Sequence, residues 1–199
     1  KEHKIKLCIT GGHATPALAV VEAVRQNHPD WEIVWIGRRF ALEGTSLPAE
    51  EYRLVTSKHI RFLPLVAGRL ARIFNAQAVV SLAKIPFGFF QAFWYCVREK
   101  PDCIVSFGGY VALPVAVAGW LLGIPVITHE QTRVPGVANR IIGLIARRVC
   151  VSFPESKVFF PKEKTVETGL PLRKKLFHPS KTNSVSIEAD TPLLYVTGG

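Results

Sequence analysis

The chain has 199 residues, of which 48% are hydrophobic and 20% charged. This is room for one sizeable domain and a little more, and the balance excludes a disordered chain. Lys and Arg number 25 against 15 Asp and Glu, a net charge of +10, and residues 58–175 hold the excess with 17 basic against 6 acidic side chains; a local excess of that kind points to an anionic partner, whether nucleic acid, anionic lipid or a phosphorylated substrate.

Short β-branched runs alternate with helical stretches. Residues 5–9 (IKLCI) read as a strand and Ala14 to Gln26 as a helix. EIVWIG (32–37) is a second strand and YRLVTS (52–57) a third. One long helix is expected between Val79 and Lys100, interrupted or preceded by Pro86. DCIVSF (102–107) is a strand, Val111 to Leu122 a helix and IPVITHE (124–130) a strand. Gly136 to Ala146 is a helix, RRVCVSF (147–153) a strand and KTVET (164–168) another. The alternation predicts an α/β fold, a Rossmann-like parallel sheet with helices on both faces. Ligands of such sheets bind beyond the carboxyl ends of the strands. The uncharged run 111–127 is at the short limit for a membrane span and carries Pro114 and Pro125, so a buried helix, a turn and a buried strand explain it better.

Residues 1–181 form the expected N-terminal domain, 182–190 (TNSVSIEAD) a polar linker, and 191–199 (TPLLYVTGG) the opening strand and glycine turn of a second domain. Methionine is absent even from position 1, which reads as a segment of a longer chain. The opening KEHKIKLCI has neither the apolar core nor the cleavage site of a signal peptide. Cys8, Cys96, Cys103 and Cys150 are widely spaced without a CxxC pair, the pattern of buried free thiols in a reducing cytosol.

Four of the segments that follow strands are polar or glycine-rich: TGGH (10–13), GGY (108–110), HEQ (129–131) and GLPLR (169–173). A glycine pair lets backbone approach a ligand, and the N-terminus of the following helix supplies free N–H groups, a combination that suits phosphate. Neither GxGxxG nor GK[ST] is matched, which disfavours nicotinamide-type and P-loop readings. An imidazole at His13 titrates near neutrality and can accept a proton from an attacking hydroxyl, or it is simply a polar residue at a helix start. Glu130 is costly to bury alone; it meets ligand at the strand end beside His129, or it pairs with Arg133 or Arg140. Arg173 grips a diphosphate with its planar fork or starts the next helix.

Residues 58–100 hold seven basic side chains and one acid, with Phe62, Leu63, Phe74, Phe87, Phe89, Phe90, Phe93 and Trp94 between Arg61, Arg69, Arg72 and Lys84. On helical segments this mixture suits an anionic membrane surface, although most of the aromatics are expected in the core. Single-stranded nucleic acid would also fit such a surface, but no recognition motif accompanies it and no nucleic-acid partner is expected.

These motifs, in this order, resemble the MurG-like glycosyltransferases of family 28. The carrying stretches are TGGHATPALAV (10–20), FGGYVALPVAVAGWLLGIPVITHEQ (107–131), GVANR (136–140) and GLPLR (169–173), with TGG (197–199) like the opening of the family's second glycine-rich domain. The resemblance implies the N-terminal, acceptor-binding and membrane-facing half of a two-domain GT-B fold. It implies an inverting transfer of GlcNAc from UDP-GlcNAc to undecaprenyl-diphosphate-MurNAc-pentapeptide, with no metal and no cofactor, on the cytoplasmic face of the plasma membrane as a peripheral protein. The partners are then the lipid-diphosphate sugar acceptor, the UDP-sugar donor and, through 58–100, an anionic membrane surface. His13, the candidate general base, and Glu130 form the catalytic set. Thr10, Gly11, Gly12, Gly108, Gly109, Tyr110, His129, Gln131, Thr132, Asn139 and Arg173 form the binding set, with the two glycine turns cradling the diphosphate. The sequence departs from the family pattern at Thr132 and Leu170, where Asn is usual. The competing expectation is a non-catalytic membrane adaptor subunit of a split lipid-linked glycosyltransferase.

Overall fold

The structure, a computed structural model, describes residues 4–40, 47–66 and 76–177, with the backbone alone for 76–84 and Lys175. Seven strands form one sheet: β1 (Lys6–Thr10), β2 (Glu32–Gly37), β3 (Arg61–Pro64), β4 (Cys103–Ser106), β5 (Val126–Glu130), β6 (Arg148–Val151) and β7 (Thr165–Glu167). Their order is β3-β2-β1-β4-β5-β6-β7, and every neighbouring pair is parallel. The helices between them are α1 (Ala14–Asn27), α2 (Glu50–Ser57), α3 (Ala76–Glu99), α4 (Ala112–Leu121) and α5 (Val137–Ile145).

Side chains on a strand alternate between faces, and both faces of this sheet are covered. Cys8, Val34, Ile36, Ile104 and Val126 pack with Ala92, Tyr95, Val115 and Ile142 of α3, α4 and α5. Their strand neighbours Leu7, Ile9 and Trp35 pack on the other side with Leu18 and Val21 of α1 and Val55 of α2. This is why the strand sequences read as continuous apolar runs rather than as alternating ones.

Residues 52–57 are helical, not the expected strand. Glu50 and Glu51 occupy the first turn of α2, where acidic side chains favour the helix start, and Glu51 and Val55 share its buried face. The third strand follows at Arg61–Pro64, in the basic-aromatic stretch where no strand was expected. It is an edge strand, and an edge tolerates Pro64, which lacks an N–H. Helix α3 runs through Pro86 rather than starting after it. The 111–127 run resolves into α4, a turn and the start of β5, as expected, and no helix among the described residues is long and apolar enough to cross a membrane. The linker and second-domain segments, 182–190 and 191–199, lie outside the described residues.

The chain leaves β1 toward β2 on one side and β4 lies on the other, so the strand order reverses at the β1–β4 pair. At such a switch point the two following loops diverge and open a crevice at the carboxyl ends. TGGH and GGY are the loops that flank it.

Candidate functional site at the switch point

The two glycine turns are locked to each other by backbone. Phe107 N–H donates to the Thr10 carbonyl at 2.8 Å, and Gly12 N–H to the Gly108 carbonyl at 3.1 Å. Gly11 lies so close to Phe107 that a Cβ there would stand 2.9 Å from its backbone. Gly108 and Gly109 have φ of 71° and 82°, in the left-handed region that side chains disfavour. Ser106 Oγ accepts from Gly108 N–H at 3.2 Å and steadies the turn.

His13 precedes the first residue of α1, yet its side chain makes no cap bond. It reaches across the switch point instead, with Nδ1 3.1 Å from the Phe107 carbonyl oxygen. A carbonyl only accepts, so Nδ1 carries the proton, and in the neutral ring Nε2 keeps its lone pair. The ring borders two cavities. One, of about 380 Å³, is enclosed by Gly108, Gly109, Tyr110, the loop after β5 and the start of α5. The other, of about 290 Å³, lies on the β2 side, against the first turn of α1 and α2.

Behind the larger cavity sits a closed hydrogen-bond network. Asn139, on the first turn of α5, accepts from Thr128 Oγ1 at 2.7 Å and donates to Glu130 Oε2 at 2.7 Å and to the His129 carbonyl at 3.3 Å. The other Glu130 oxygen accepts from Thr132 N–H at 2.8 Å and Thr132 Oγ1 at 2.6 Å. Glu130 is 2% exposed, lies among the residues lining this cavity at the strand end, and does not make the alternative pairing with an arginine. Arg133 and Arg140 turn elsewhere: Arg133 faces Glu155 at 3.9 Å, and Arg140 lies 4.4 Å over the Phe159 ring. Three neutral donors, from Thr132 and Asn139, hold the carboxylate in their place, and the network fixes the HEQ loop and α5 relative to Gly108. The start of α5 faces the cavity through Gly136, Val137 and Ala138, with no acidic residue in its first turn. An anion placed there meets free N–H groups and the positive end of the helix dipole.

His129 is also internal. Its Nε2 lies 3.1 Å from the Gly169 carbonyl, its ring is tilted against Phe107, and Nδ1 is buried without a partner. Burial pushes its pKa below the usual imidazole range, against smaller opposing effects of the Gly169 bond and Glu130. The ring is therefore neutral, with Nε2–H donating.

The structure thus gathers His13, Gly108, Gly109, Tyr110, Glu130, Gln131, Thr132 and Asn139 around one cavity, and places Gly12 on the rim of the other. It does not bring Thr10, Gly11, His129 or Arg173 to either wall. Thr10 and His129 are buried, Gly11 is a contact between turns, and Arg173 is half-buried beyond β7. Sequence reading missed Arg38 and Glu51 on the β2 side. Arg38 directly follows β2, a position that itself marks a candidate; Glu51 was hidden by the misread helix. Arg38 donates to the Tyr110 hydroxyl at 3.3 Å and so links the two sides of the crevice.

On the far side of the sheet, α3 and α4 enclose an apolar groove of about 510 Å³ lined by Pro86, Phe89, Phe90, Phe93, Val117 and Leu121. More aromatic surface is outside than expected: Phe87, Phe90, Trp94 and Trp120 are each more than half exposed. Phe62 and Leu63 pack against the two cores and Arg61 pairs with the buried Glu99 at 2.8 Å, so this part of 58–100 is no surface patch. Arg69, Arg72 and Phe74 lie outside the described residues. All four cysteines are free and burial pushes every thiol up, Cys96 to about 12, which leaves no nucleophilic thiolate at neutral pH. Among the described residues no three His, Cys, Asp or Glu side chains gather as a metal site needs.

A parallel sheet in this order, with paired glycine turns at its switch point, defines a Rossmann-like domain of the GT-B type. Residues 8–151 match the family described as glycosyltransferase family 28 N-terminal domain, and the chain belongs to that family. Two relatives, from Clostridium botulinum (strain Langeland) and Shouchella clausii, carry the name UDP-N-acetylglucosamine–N-acetylmuramyl-(pentapeptide) pyrophosphoryl-undecaprenol N-acetylglucosamine transferase. They are 36% and 37% identical over 96% and 98% of this chain, which covers 52% and 54% of theirs. The chain therefore spans about half the length of the curated relatives it matches. The crystal structure of Acinetobacter baumannii MurG superposes with a TM-score of 0.63 at 26% identity, covering 95% of this chain and 48% of that one. The UDP-GlcNAc 2-epimerase of Neisseria meningitidis, at 17% identity and a TM-score of 0.56, shares the fold.

Proposed function

We propose that this chain is the acceptor-binding half of an enzyme that transfers GlcNAc from UDP-GlcNAc to undecaprenyl-diphosphate-linked MurNAc-pentapeptide. The observation that carries the reading is His13, which lines both cavities and is held by its Nδ1–H on the Phe107 carbonyl, so that Nε2 of the neutral ring keeps its lone pair. In this reading the acceptor diphosphate lies against Gly108, Gly109 and the start of α5, where backbone N–H groups face the cavity. The acceptor hydroxyl gives its proton to His13 Nε2 as its oxygen attacks the anomeric carbon of the donor sugar. UDP leaves from the opposite face, which inverts the configuration. Glu130 and Asn139 position the cradle and touch no reacting atom.

The reaction needs no metal in this account, because the charge of the leaving diphosphate is met by protein donors. The donor is held mainly by a second domain. The apolar groove between α3 and α4, with its exposed aromatics, is the surface that rests on the cytoplasmic leaflet and gives access to the lipid acceptor. The test is transfer of labelled GlcNAc to the lipid-diphosphate-MurNAc-pentapeptide by the full-length native chain, with and without EDTA. Transfer unaffected by EDTA is expected. Absence of transfer under both conditions removes the assignment, and loss with EDTA alone removes its metal-independent form.

A further inference from the structure

Each of the two cavities that meet at His13 borders a helix start with no acidic residue in its first turn, and one of them has its carboxyl, Glu130, fully paired. The other is lined by the first turn of α1 together with Arg38, Glu50, Glu51 and Leu54. Glu51 is 5% exposed. Its Oε1 accepts from the Trp35 indole N–H at 2.7 Å, while Oε2 is buried with no partner. A buried carboxyl oxygen without a donor is costly, and an apolar side chain of similar size would pack there without that cost. The charged and titratable groups that share the cavity are Arg38, Glu50 and His13. One fixed cation among two carboxyls makes a poor home for a diphosphate. It suits a group rich in hydroxyl and amide donors.

We propose that this cleft is the sugar subsite of the acceptor, where Glu51 Oε2 accepts a hydrogen bond from a hydroxyl or amide N–H of the pyranose whose reacting hydroxyl lies at His13. The proposal rests on the acceptor reading above. Diphosphate and reacting hydroxyl belong to one sugar. With the diphosphate at the glycine turns and the hydroxyl at His13 Nε2, the ring's remaining edge is directed to the β2 side. There Ala14, Pro16 and Leu54 offer apolar wall to its C–H face, and Arg38 offers donors to its oxygens. Burial pushes the Glu51 carboxyl up to about 7, with the Trp35 bond and Arg38 pulling the other way. An accepted hydrogen bond favours the ionised form, so acceptor binding weakens as the pH falls through about 7.

Glu51→Gln tests this in the full-length native chain. The variant keeps the volume, and the Trp35 N–H retains the amide oxygen. The amide NH₂ then stands where Oε2 was and presents a donor in place of an acceptor. The expected result is an acceptor KM raised about tenfold or more, with donor KM and kcat within about twofold and the acidic limb near pH 7 gone from acceptor kcat/KM. Leu54→Trp fills the cleft from its rim without touching the Trp35–Glu51 pair, and the same rise in acceptor KM is expected. An unchanged acceptor KM in either folded variant, with wild type active, overturns the subsite and leaves the acceptor reading standing. No transfer by wild type removes both.

Discussion

On the β4–β5 side of His13 the glycine turns bring backbone to the cavity and the Glu130 carboxylate behind it is fully paired, while Gln131 Oε1 is buried there without a partner. Glu130, Asn139, Thr128 and Thr132 spend their hydrogen bonds on one another, and what they leave facing the cavity is glycine and helix N–H. On the β2 side the wall is side chain, and one carboxyl oxygen is left without a partner. Satisfied polar groups fix geometry, whereas an orphaned one waits for a ligand. The contrast is between two buried carboxyls: that of Glu130 holds the shape of one cavity, and that of Glu51 has an oxygen left to accept from a ligand in the other.

Gly108→Val should break the comparison most severely. It places a branched side chain at φ 71° with Asn139 about 3.0 Å from its Cβ. Transfer is expected to fall by about a thousandfold or more, with a loss of stability on the order of 1–3 kcal/mol. Steady-state kinetics and thermal unfolding check both, and near-normal turnover would exclude a diphosphate cradle at this turn. Asn139→Ala comes next. It strands a buried Glu130 oxygen and Thr128, at a cost of about 2–4 kcal/mol, and acceptor KM should rise more than donor KM. A drop in stability with both KM values unmoved would reduce the network to a structural brace.

The pH dependence of stability sharpens the same contrast. Glu51 titrates near 7 in the fold against an ordinary value near 4.5. Folding thus takes up a proton between those values, and the stability tied to this group is full below about 4.5 and lost as the pH rises through about 7. Glu51→Gln should therefore be more stable than wild type at pH 8 by about 2–3 kcal/mol, with the difference fading toward pH 4.5, as denaturant unfolding at several pH values would reveal. His129 works in the opposite sense. Its lowered pKa means that the neutral ring is favoured, so stability falls as the pH drops through the ordinary imidazole range near 6.5. The smallest effect is expected at the membrane face. Phe90→Ser with Trp120→Ser should weaken binding to anionic vesicles about tenfold at unchanged Tm, since both rings are already exposed.

The strands and the turns after them were legible because a doubly covered parallel sheet writes itself as short β-branched runs. Residues 52–57 were not, because six residues hold too little of either period. The acidic pair Glu50–Glu51 at the start of α2 was the better signal. The strand at Arg61–Pro64 was concealed by its proline and by the basic-aromatic run around it. His13 was legible as a candidate, but its tautomer was not. That depends on the Phe107 carbonyl, 94 residues away in the chain. The role of Glu130 was likewise hidden, since its donors Thr132 and Asn139 are brought to it only by the loop between β5 and α5.

His13 is the proposed base between the two cavities, and chemical rescue tests that role most directly. In the full-length native chain, His13→Ala should lower kcat by about 10²–10⁴-fold with acceptor KM and Tm little changed, and added imidazole should restore part of the rate. Undiminished turnover in His13→Ala would contradict the account.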